Sequence, residues 1–109
     1  MQKYLRLLEE IANEWDIFYQ NLDATYEDNV KEKQKIKIII EQFYNDNSLT
    51  QEDKNELLVK FINFLTKYSG CAEDLEISEN LLGSLESMKI IDQKYFDLFY
   101  ANTSTNRWM

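Results

Sequence analysis

The sequence contains no proline and only two glycines, so it has few residues suited to the tight turns of a sheet protein. It also contains no histidine, the most common general base and transition-metal ligand. Its single cysteine, Cys71, has no second thiol with which to form a disulfide, and its acidic neighbours Glu73 and Asp74 disfavour the thiolate that a nucleophile needs. These absences argue against an all-β domain, histidine-dependent catalysis and a disulfide framework.

Long apolar runs are absent as well. Stretches such as Ile38-Ile39-Ile40 are far too short to cross a bilayer. Glu9 and Glu10 stand where a signal peptide would have its apolar core. Together with the lone cysteine, these features lead us to expect a soluble protein located in the cytoplasm.

Negative charge dominates the composition. Twenty Asp and Glu residues against 12 Lys and Arg residues give the 109-residue chain a formal charge of -8. Such a field repels nucleic-acid phosphates and anionic membranes and attracts basic protein surfaces. We therefore expect a basic protein partner, with no direct binding to nucleic acid or to membranes.

Apolar residues recur every three or four positions along most of the chain, which predicts an all-α fold. Because the connections are short, we expect a compact bundle of four to five mostly antiparallel helices in one domain over residues 1–101, with a polar tail over residues 102–109. The first helix is predicted over residues 2–21. Its apolar stripe runs from Tyr4 to Leu22 with Trp15 in the middle, so the Trp15 side chain is expected in the core.

The second helix is predicted over residues 25–45. Its middle, from Lys35 to Ile40, alternates like a strand, but no neighbouring segment offers a strand to pair with, so we predict helix there too. The first half is rich in lysines that are interleaved with acids. This pattern predicts an exposed, salt-bridged helix face rather than an anion site, formed by Lys31, Lys33, Lys35 and Lys37.

The third helix has the clearest predicted bounds. Thr50 followed by Asp53 is typical of a helix N-terminus, and Gly70 is the expected left-handed residue that ends the helix. A fourth helix is predicted over residues 72–89. A short fifth helix, capped by Asp92, is expected to end where the polar tail begins.

Motifs that would carry chemistry are not found in the sequence. Asp46, Ser48 and Thr50 match the first, third and fifth positions of a calcium-binding loop, but Gln51 replaces the required glycine and Leu57 replaces the bidentate glutamate. No glycine-rich phosphate loop is present either. We therefore expect no metal, no cofactor, no catalytic residues and no enzymatic activity.

The negative charge is unevenly distributed along the chain. Residues 71–91 carry five acids and one lysine, a local charge of -4, and residues 1–24 carry -3, whereas residues 48–70 balance at zero. The alternative to a partner site is that the acids form a solvated face that keeps the protein soluble. The candidate partner-binding residues are Glu73, Asp74, Glu76, Glu79, Glu86 and Trp108.

Trp108 has two interpretations, because a large apolar side chain in a polar tail needs an explanation. In the first, Trp108 folds back onto the bundle and closes an apolar gap. In the second, it is a mobile anchor that enters a pocket on a partner, as tryptophan often does at binding hot spots.

Acidic surface and abundant aromatic residues lead to one main functional hypothesis. A non-enzymatic inhibitor or immunity-type protein that blocks a nuclease or another nucleic-acid-binding enzyme needs carboxylates to match the lysines and arginines meant for phosphate. The alternative is a structural adaptor, or a small subunit of a helical assembly or homodimer, held by an apolar interface.

Overall fold

A computed structural model of the protein describes the backbone of residues 1–107 and the side chains of residues 1–102. Within this part of the chain the secondary structure is helical and contains no strand, which confirms the predicted all-α class. The five helices are α1 (Gln2–Phe18), α2 (Tyr26–Tyr44), α3 (Gln51–Lys67), α4 (Ala72–Ser87) and α5 (Gln93–Arg107).

The chain divides into two compact units, an N-terminal unit over residues 1–57 and a C-terminal unit over residues 58–109. The prediction of one domain over residues 1–101 stays a prediction. None of the helices in the described residues is both long and apolar enough to span a membrane.

Two helix N-termini are fixed by reciprocal side-chain caps. The Thr25 hydroxyl accepts from the backbone N–H of Asp28 at 3.2 Å, and the Asp28 carboxylate accepts from the backbone N–H of Thr25 at 3.0 Å. Thr50 and Asp53 form the same pair of hydrogen bonds at the start of α3, as predicted, at 3.1 and 3.3 Å. The strand-like stretch from Lys35 to Ile40 lies within α2, so the prediction of helix there is confirmed.

The end of α1 differs from the prediction. The helix stops at Phe18 rather than near residue 21, and Leu22 lies in the following loop with 97% of its surface exposed. The predicted end of the first helix is therefore wrong, and Leu22, the last member of the apolar stripe, lies outside the helix. The physical reason lies at Asn21, whose side-chain oxygen accepts from the backbone N–H of Asp23 at 3.0 Å, because such local bonds compete with helix continuation.

The end of α3 also differs from the prediction. Gly70 does not adopt a left-handed conformation. Instead, the hydroxyls of Thr66 and Ser69 donate to the carbonyls of Ile62 and Leu65, at 2.9 and 2.7 Å, and satisfy carbonyl groups near the end of α3.

The left-handed position in the described chain falls on a lysine that follows α4. Lys89 has a φ of 62°. The backbone N–H of Lys89 donates to the carbonyl of Glu86 at 2.9 Å, and that of Ile90 donates to the carbonyl of Leu85 at 3.0 Å. This pair of bonds is a Schellman motif, in which glycine is the usual residue.

Helix α5 continues to Arg107, beyond the predicted end near residue 101. Its start agrees with the prediction, since the Asp92 carboxylate accepts from the backbone N–H of Lys94 at 3.0 Å. Trp108, for which the sequence leaves two interpretations, lies outside the described residues.

Helices α1 and α2 of the N-terminal unit pack as an antiparallel pair. Near the start of α1, the Tyr4 ring meets the Phe43 ring edge-on near the end of α2, with centroids 5.7 Å apart. Farther along α1, Glu14 forms an ion pair with Lys35 at 2.8 Å. Trp15, which follows Glu14 on α1, is fully buried, which confirms its predicted place in the core.

A buried lysine lies where the end of α1 meets the first half of α2. Lys33 is only 1% exposed, and its ammonium donates to the Tyr19 hydroxyl at 2.6 Å and to the Asn29 side-chain oxygen at 2.7 Å. The ammonium also lies 5.2 Å from the Trp15 ring and 5.3 Å from the Tyr19 ring, within the range of a cation–π interaction. The predicted exposed lysine face is therefore wrong at Lys33, because aromatic and amide partners compensate for the loss of solvent.

The remaining lysines of this stretch agree better with the prediction. Lys35 is paired with Glu14 and with Glu32, at 2.8 and 3.1 Å, and Lys37 lies 3.7 Å from Glu41. The salt-bridged face thus exists, with one of its four lysines turned into the core.

A second polar link joins α1 to the loop after α2. The Tyr4 hydroxyl donates to the Asp46 carboxylate at 2.5 Å, and Asp46 also accepts from the hydroxyl and the backbone N–H of Ser48, at 2.6 and 2.9 Å. The bonds from Ser48 and Tyr4 lower the pKa of Asp46 to about 2. The bond to Asp46, together with burial, raises the pKa of Tyr4 to about 12.

The C-terminal unit has an apolar core to which α3, α4 and α5 contribute fully buried side chains. Inside it, the hydroxyls of Ser69 and Ser78 share a hydrogen bond of 2.8 Å, so that these two buried polar groups satisfy each other. The core side chains of this unit that have no exposed surface are Phe61, Ile62, Leu65, Leu82, Leu85 and Phe99.

Removal of the buried ammonium is expected to destabilise the protein strongly. Lys33→Ala leaves a cavity and deprives Tyr19 and Asn29 of their donor, so we expect the free energy of unfolding to fall by about 3 kcal/mol. Lys31→Ala, at an exposed position two residues away, should change it by less than about 0.5 kcal/mol. Urea denaturation measures both values, and equal small losses would show that Lys33 does not hold the helix pair.

Glycine at the left-handed position after α4 is expected to stabilise the protein. Lys89→Gly removes the strain of a side chain at positive φ, and we expect a gain of about 1 kcal/mol in the free energy of unfolding. Lys89→Ala is the control, because it removes the same charge but keeps the strain. A thermal melt in which both variants behave alike would contradict this explanation.

The hydrogen bond between Tyr4 and Asp46 predicts that the stability of the protein depends on pH. Because the pKa of Asp46 is lowered in the folded state, its contribution to stability is present above pH 3.8 and is lost as the pH falls towards 2. Tyr4→Phe should raise the Asp46 pKa towards 3.8, as followed by NMR titration of the carboxyl group, whereas Tyr26→Phe should leave it unchanged. An unaltered Asp46 titration in Tyr4→Phe would show that the hydrogen bond does not act on the carboxylate.

The high pKa of Tyr4 predicts that the stability of the protein also falls at alkaline pH. Its contribution to stability is present below pH 10 and is lost as the pH rises from 10 towards 12, because the unfolded state releases the phenolic proton first. Tyr4→Phe should remove this loss of stability at alkaline pH.

Candidate functional site

Helix α4 combines a high density of acids with an absence of cations. Residues 72–87 contain five acids and no lysine or arginine. Glu73 and Asp74 stand in the first turn, where negative charge interacts favourably with the helix dipole. The helix therefore tolerates this charge without a cation of its own.

Four of these acids are accessible at the surface. Glu73, Glu76 and Glu86 are exposed, and Glu79 is half-buried. We refer to these four residues as the α4 acidic face. From Glu73 to Glu86 it extends along the helix axis for roughly 20 Å, at about 1.5 Å per residue.

An aromatic residue of α5 adjoins this face. The Tyr100 hydroxyl donates to the Glu79 carboxylate at 3.0 Å, and its ring stacks on that of Phe96, with centroids 6.3 Å apart. Burial and the hydrogen bond to Glu79 raise the pKa of Tyr100, so the phenol remains a neutral donor. Forty per cent of Tyr100 is exposed, which leaves part of the ring available for contact.

Tyr100 was not among the residues selected from the sequence. The signal available there was its spacing of four residues from Phe96, which places the two rings on one side of α5. That spacing indicates packing as readily as binding, and only the bond to Glu79 links Tyr100 to the acids.

Asp74 does not belong to the α4 acidic face. Its surface is only 7% exposed, and its carboxylate accepts a hydrogen bond from the Cys71 thiol at 3.0 Å. The periodicity of α4 explains this position, because Asp74 precedes the buried residues Ser78, Leu81 and Leu85 at helical spacing. The structure thus separates Asp74 from the other four candidate acids, and Trp108 lies outside the described residues.

Cys71 occupies the N-cap position of α4 with an extended backbone and no side-chain capping bond. Partial burial and, secondly, the hydrogen bond to Asp74 raise the pKa of its thiol. A raised pKa lowers the fraction of thiolate at neutral pH, so the geometry does not activate this cysteine. In the described part of the chain, no group of three or more Cys, Asp or Glu side chains is arranged to hold a metal ion.

Comparison of the chain with protein-family models, with curated proteins and with solved structures gives no match. The chemistry of the α4 acidic face and of Tyr100 is therefore the basis for a functional proposal.

The thiol pKa leads to a prediction about reactivity. At pH 8, Cys71 should react with iodoacetamide more slowly than a small model thiol, although the residue is exposed. Asp74→Asn should accelerate the reaction, because it removes the carboxylate charge that accepts a hydrogen bond from the thiol. The control Glu73→Gln should change the rate little. Mass spectrometry of timed samples measures these rates, and an acceleration by Glu73→Gln alone would contradict the assigned cause.

Proposed function

We propose that this chain is a non-enzymatic, cytoplasmic protein-binding module that docks the α4 acidic face onto a basic partner protein. The most concrete form of this function is an inhibitor or immunity-type protein that covers the active surface of a nuclease or another nucleic-acid-binding enzyme. The observation that carries the proposal is one helix with five acids and no cation, four of whose carboxylates are accessible along roughly 20 Å.

The carboxylates supply recognition and speed of encounter. Surfaces that bind nucleic acids present lysines and arginines to phosphate oxygens, and a row of carboxylates offers similar charge and similar hydrogen-bond acceptors. A field of one sign on one helix also steers a basic partner during diffusion and accelerates association. The absence of lysine and arginine within α4 means that its own residues do not neutralise this field.

Charge alone gives little affinity, so an anchor is needed. Tyr100 meets this need because tyrosine is enriched at binding hot spots and its hydroxyl is already oriented by Glu79. An aromatic ring held in place loses little conformational freedom on binding. Trp108 is the second proposed anchor, and its role stays a prediction.

The test begins with capture of the basic partner from the native cell extract on the immobilised full chain. Its association rate is then measured for the charge-reversed variant Glu73→Lys/Glu76→Lys/Glu79→Lys/Glu86→Lys. We expect association to slow by about tenfold or more at low salt, because steering is lost. Circular dichroism establishes that the variant is folded.

The matched control has the same change in net charge at exposed acids of α1 and α3, Glu9→Lys/Glu10→Lys/Glu52→Lys/Glu56→Lys. If the acids serve only solubility, the two variants should behave alike. If an apolar interface holds an obligate assembly, neither should slow association. Either result would contradict the proposal, whereas a loss confined to the α4 variant supports it.

A further inference from the structure

The turn between α1 and α2 exposes an unusual set of large apolar side chains. Leu22 is 97% exposed, Ile17 is 73% exposed and Tyr26 is 45% exposed. We refer to these three residues as the α1–α2 corner. Single exposed apolar residues are common, but three within ten residues at one end of a helix pair are typical of a contact surface.

The chain on both sides of Leu22 is held by side-chain contacts. Before Leu22, Tyr19 accepts a hydrogen bond from the buried ammonium of Lys33, and its ring packs edge-on against Phe18 with centroids 5.4 Å apart. After Leu22, the reciprocal bonds of Thr25 and Asp28 set the first turn of α2. The apolar side chains are therefore presented on an ordered frame, which reduces the entropy lost on binding.

The chain around the corner is acidic. Residues 14–28 contain five acids and no lysine or arginine. All five are exposed, and Asp23 and Glu27 directly follow Leu22 and Tyr26. Asp23 and Glu27 therefore accompany the apolar side chains at the same end of the helix pair.

The nearby cations are largely engaged elsewhere. On α2, Lys33 is buried and Lys35 pairs with Glu14 and Glu32. Lys31 is exposed and acts on Asp28, where its charge is one of the lesser causes that lower the carboxyl pKa. The net field around the corner is consequently negative, although Lys31 moderates it.

An apolar surface with acidic neighbours complements one kind of partner segment. A cationic amphipathic helix places apolar side chains on one face and lysines or arginines beside them. The apolar face can cover Leu22, Ile17 and Tyr26, and the flanking cations then meet carboxylates rather than like charges.

We infer that the α1–α2 corner is a second docking surface, which takes a cationic amphipathic segment of a partner protein. Ile17, Leu22 and Tyr26 contact its apolar side chains, and Asp23 and Glu27 face its cations. The inference goes beyond the proposed function, since the corner belongs to the N-terminal unit and does not use the α4 acidic face.

The test uses three synthetic helical peptides and the full chain. The first peptide has a leucine face flanked by lysines, the second keeps the lysines but has serine for leucine, and the third keeps the leucines but has glutamate for lysine. Amide chemical shifts are followed by NMR during titration. We expect the first peptide alone to bind measurably and to shift the amides of residues 17–26.

Substitutions then locate the contact. Ile17→Ser/Leu22→Ser should weaken binding of the leucine–lysine peptide by about tenfold or more, as expected when two apolar anchors are lost. The matched control is Ile38→Ser, which removes an apolar side chain that is also about half exposed, 51%, on the same unit but twelve residues along α2 from Tyr26. The control should weaken binding by less than about twofold.

Each other outcome overturns the inference. Equal binding of the serine–lysine peptide would mean that charge alone acts, and equal binding of the leucine–glutamate peptide would mean that charge plays no part. Shifts confined to residues 73–86 would leave the proposed function intact and remove the corner as a site. A concentration-dependent dimer that Leu22→Ser abolishes, measured by sedimentation equilibrium, would assign the corner to a second copy of the chain.

Discussion

A shortage of cations is the constraint that governs how charge is arranged in this protein. The chain has eight more acids than bases, and the lysines of α2 are largely engaged within the N-terminal unit. Lys33 is buried against Trp15 and Tyr19, while Lys35 and Lys37 pair with neighbouring glutamates. Helix α4 contains no lysine or arginine of its own, and Glu73, Glu76 and Glu86 are exposed on it.

The burial of Lys33 also shapes the N-terminal unit. Its ammonium ties Asn29 of α2 to Tyr19, directly after the end of α1. A cation near the carboxyl end of a helix interacts favourably with the helix dipole, and α1 has no basic residue in its own last turn. The lysine from α2 therefore supplies what the sequence of α1 lacks, and it supports the turn on which Leu22 is exposed.

Local signals in the sequence were sufficient for much of the fold. The start of α3 follows from Thr50 and Asp53, and the core position of Trp15 follows from the apolar stripe of α1, because both depend on neighbours along the chain. The end of α1 was missed since apolar periodicity continues to Leu22, although the local bond at Asn21 stops the helix earlier.

Features that depend on distant partners were harder to predict. Lysine is rarely buried, so the position of Lys33 is understandable only once the Tyr19 hydroxyl is seen to accept a hydrogen bond from its ammonium. Asp74 is a different case. Its spacing from Ser78, Leu81 and Leu85 did indicate the buried side of α4, but its charge suggested the surface.

Part of the candidate site can be identified from the sequence, and part only from the structure. The acids of α4 are evident from the sequence, whereas the role of Tyr100 beside Glu79 requires the packing of α5 against α4. The α4 acidic face and the α1–α2 corner lie in different units, yet the chemistry of each favours a cationic partner.

We propose that the accessible carboxylates of α4 drive association with a basic protein, and the dependence of the association rate on ionic strength tests this most directly. The association rate of the unaltered chain with its captured partner should be measured by stopped flow between about 20 mM and about 300 mM salt, a range over which screening becomes strong. The account predicts a fall of about tenfold or more, as expected for electrostatic steering. An association rate that stays constant across this range would contradict it.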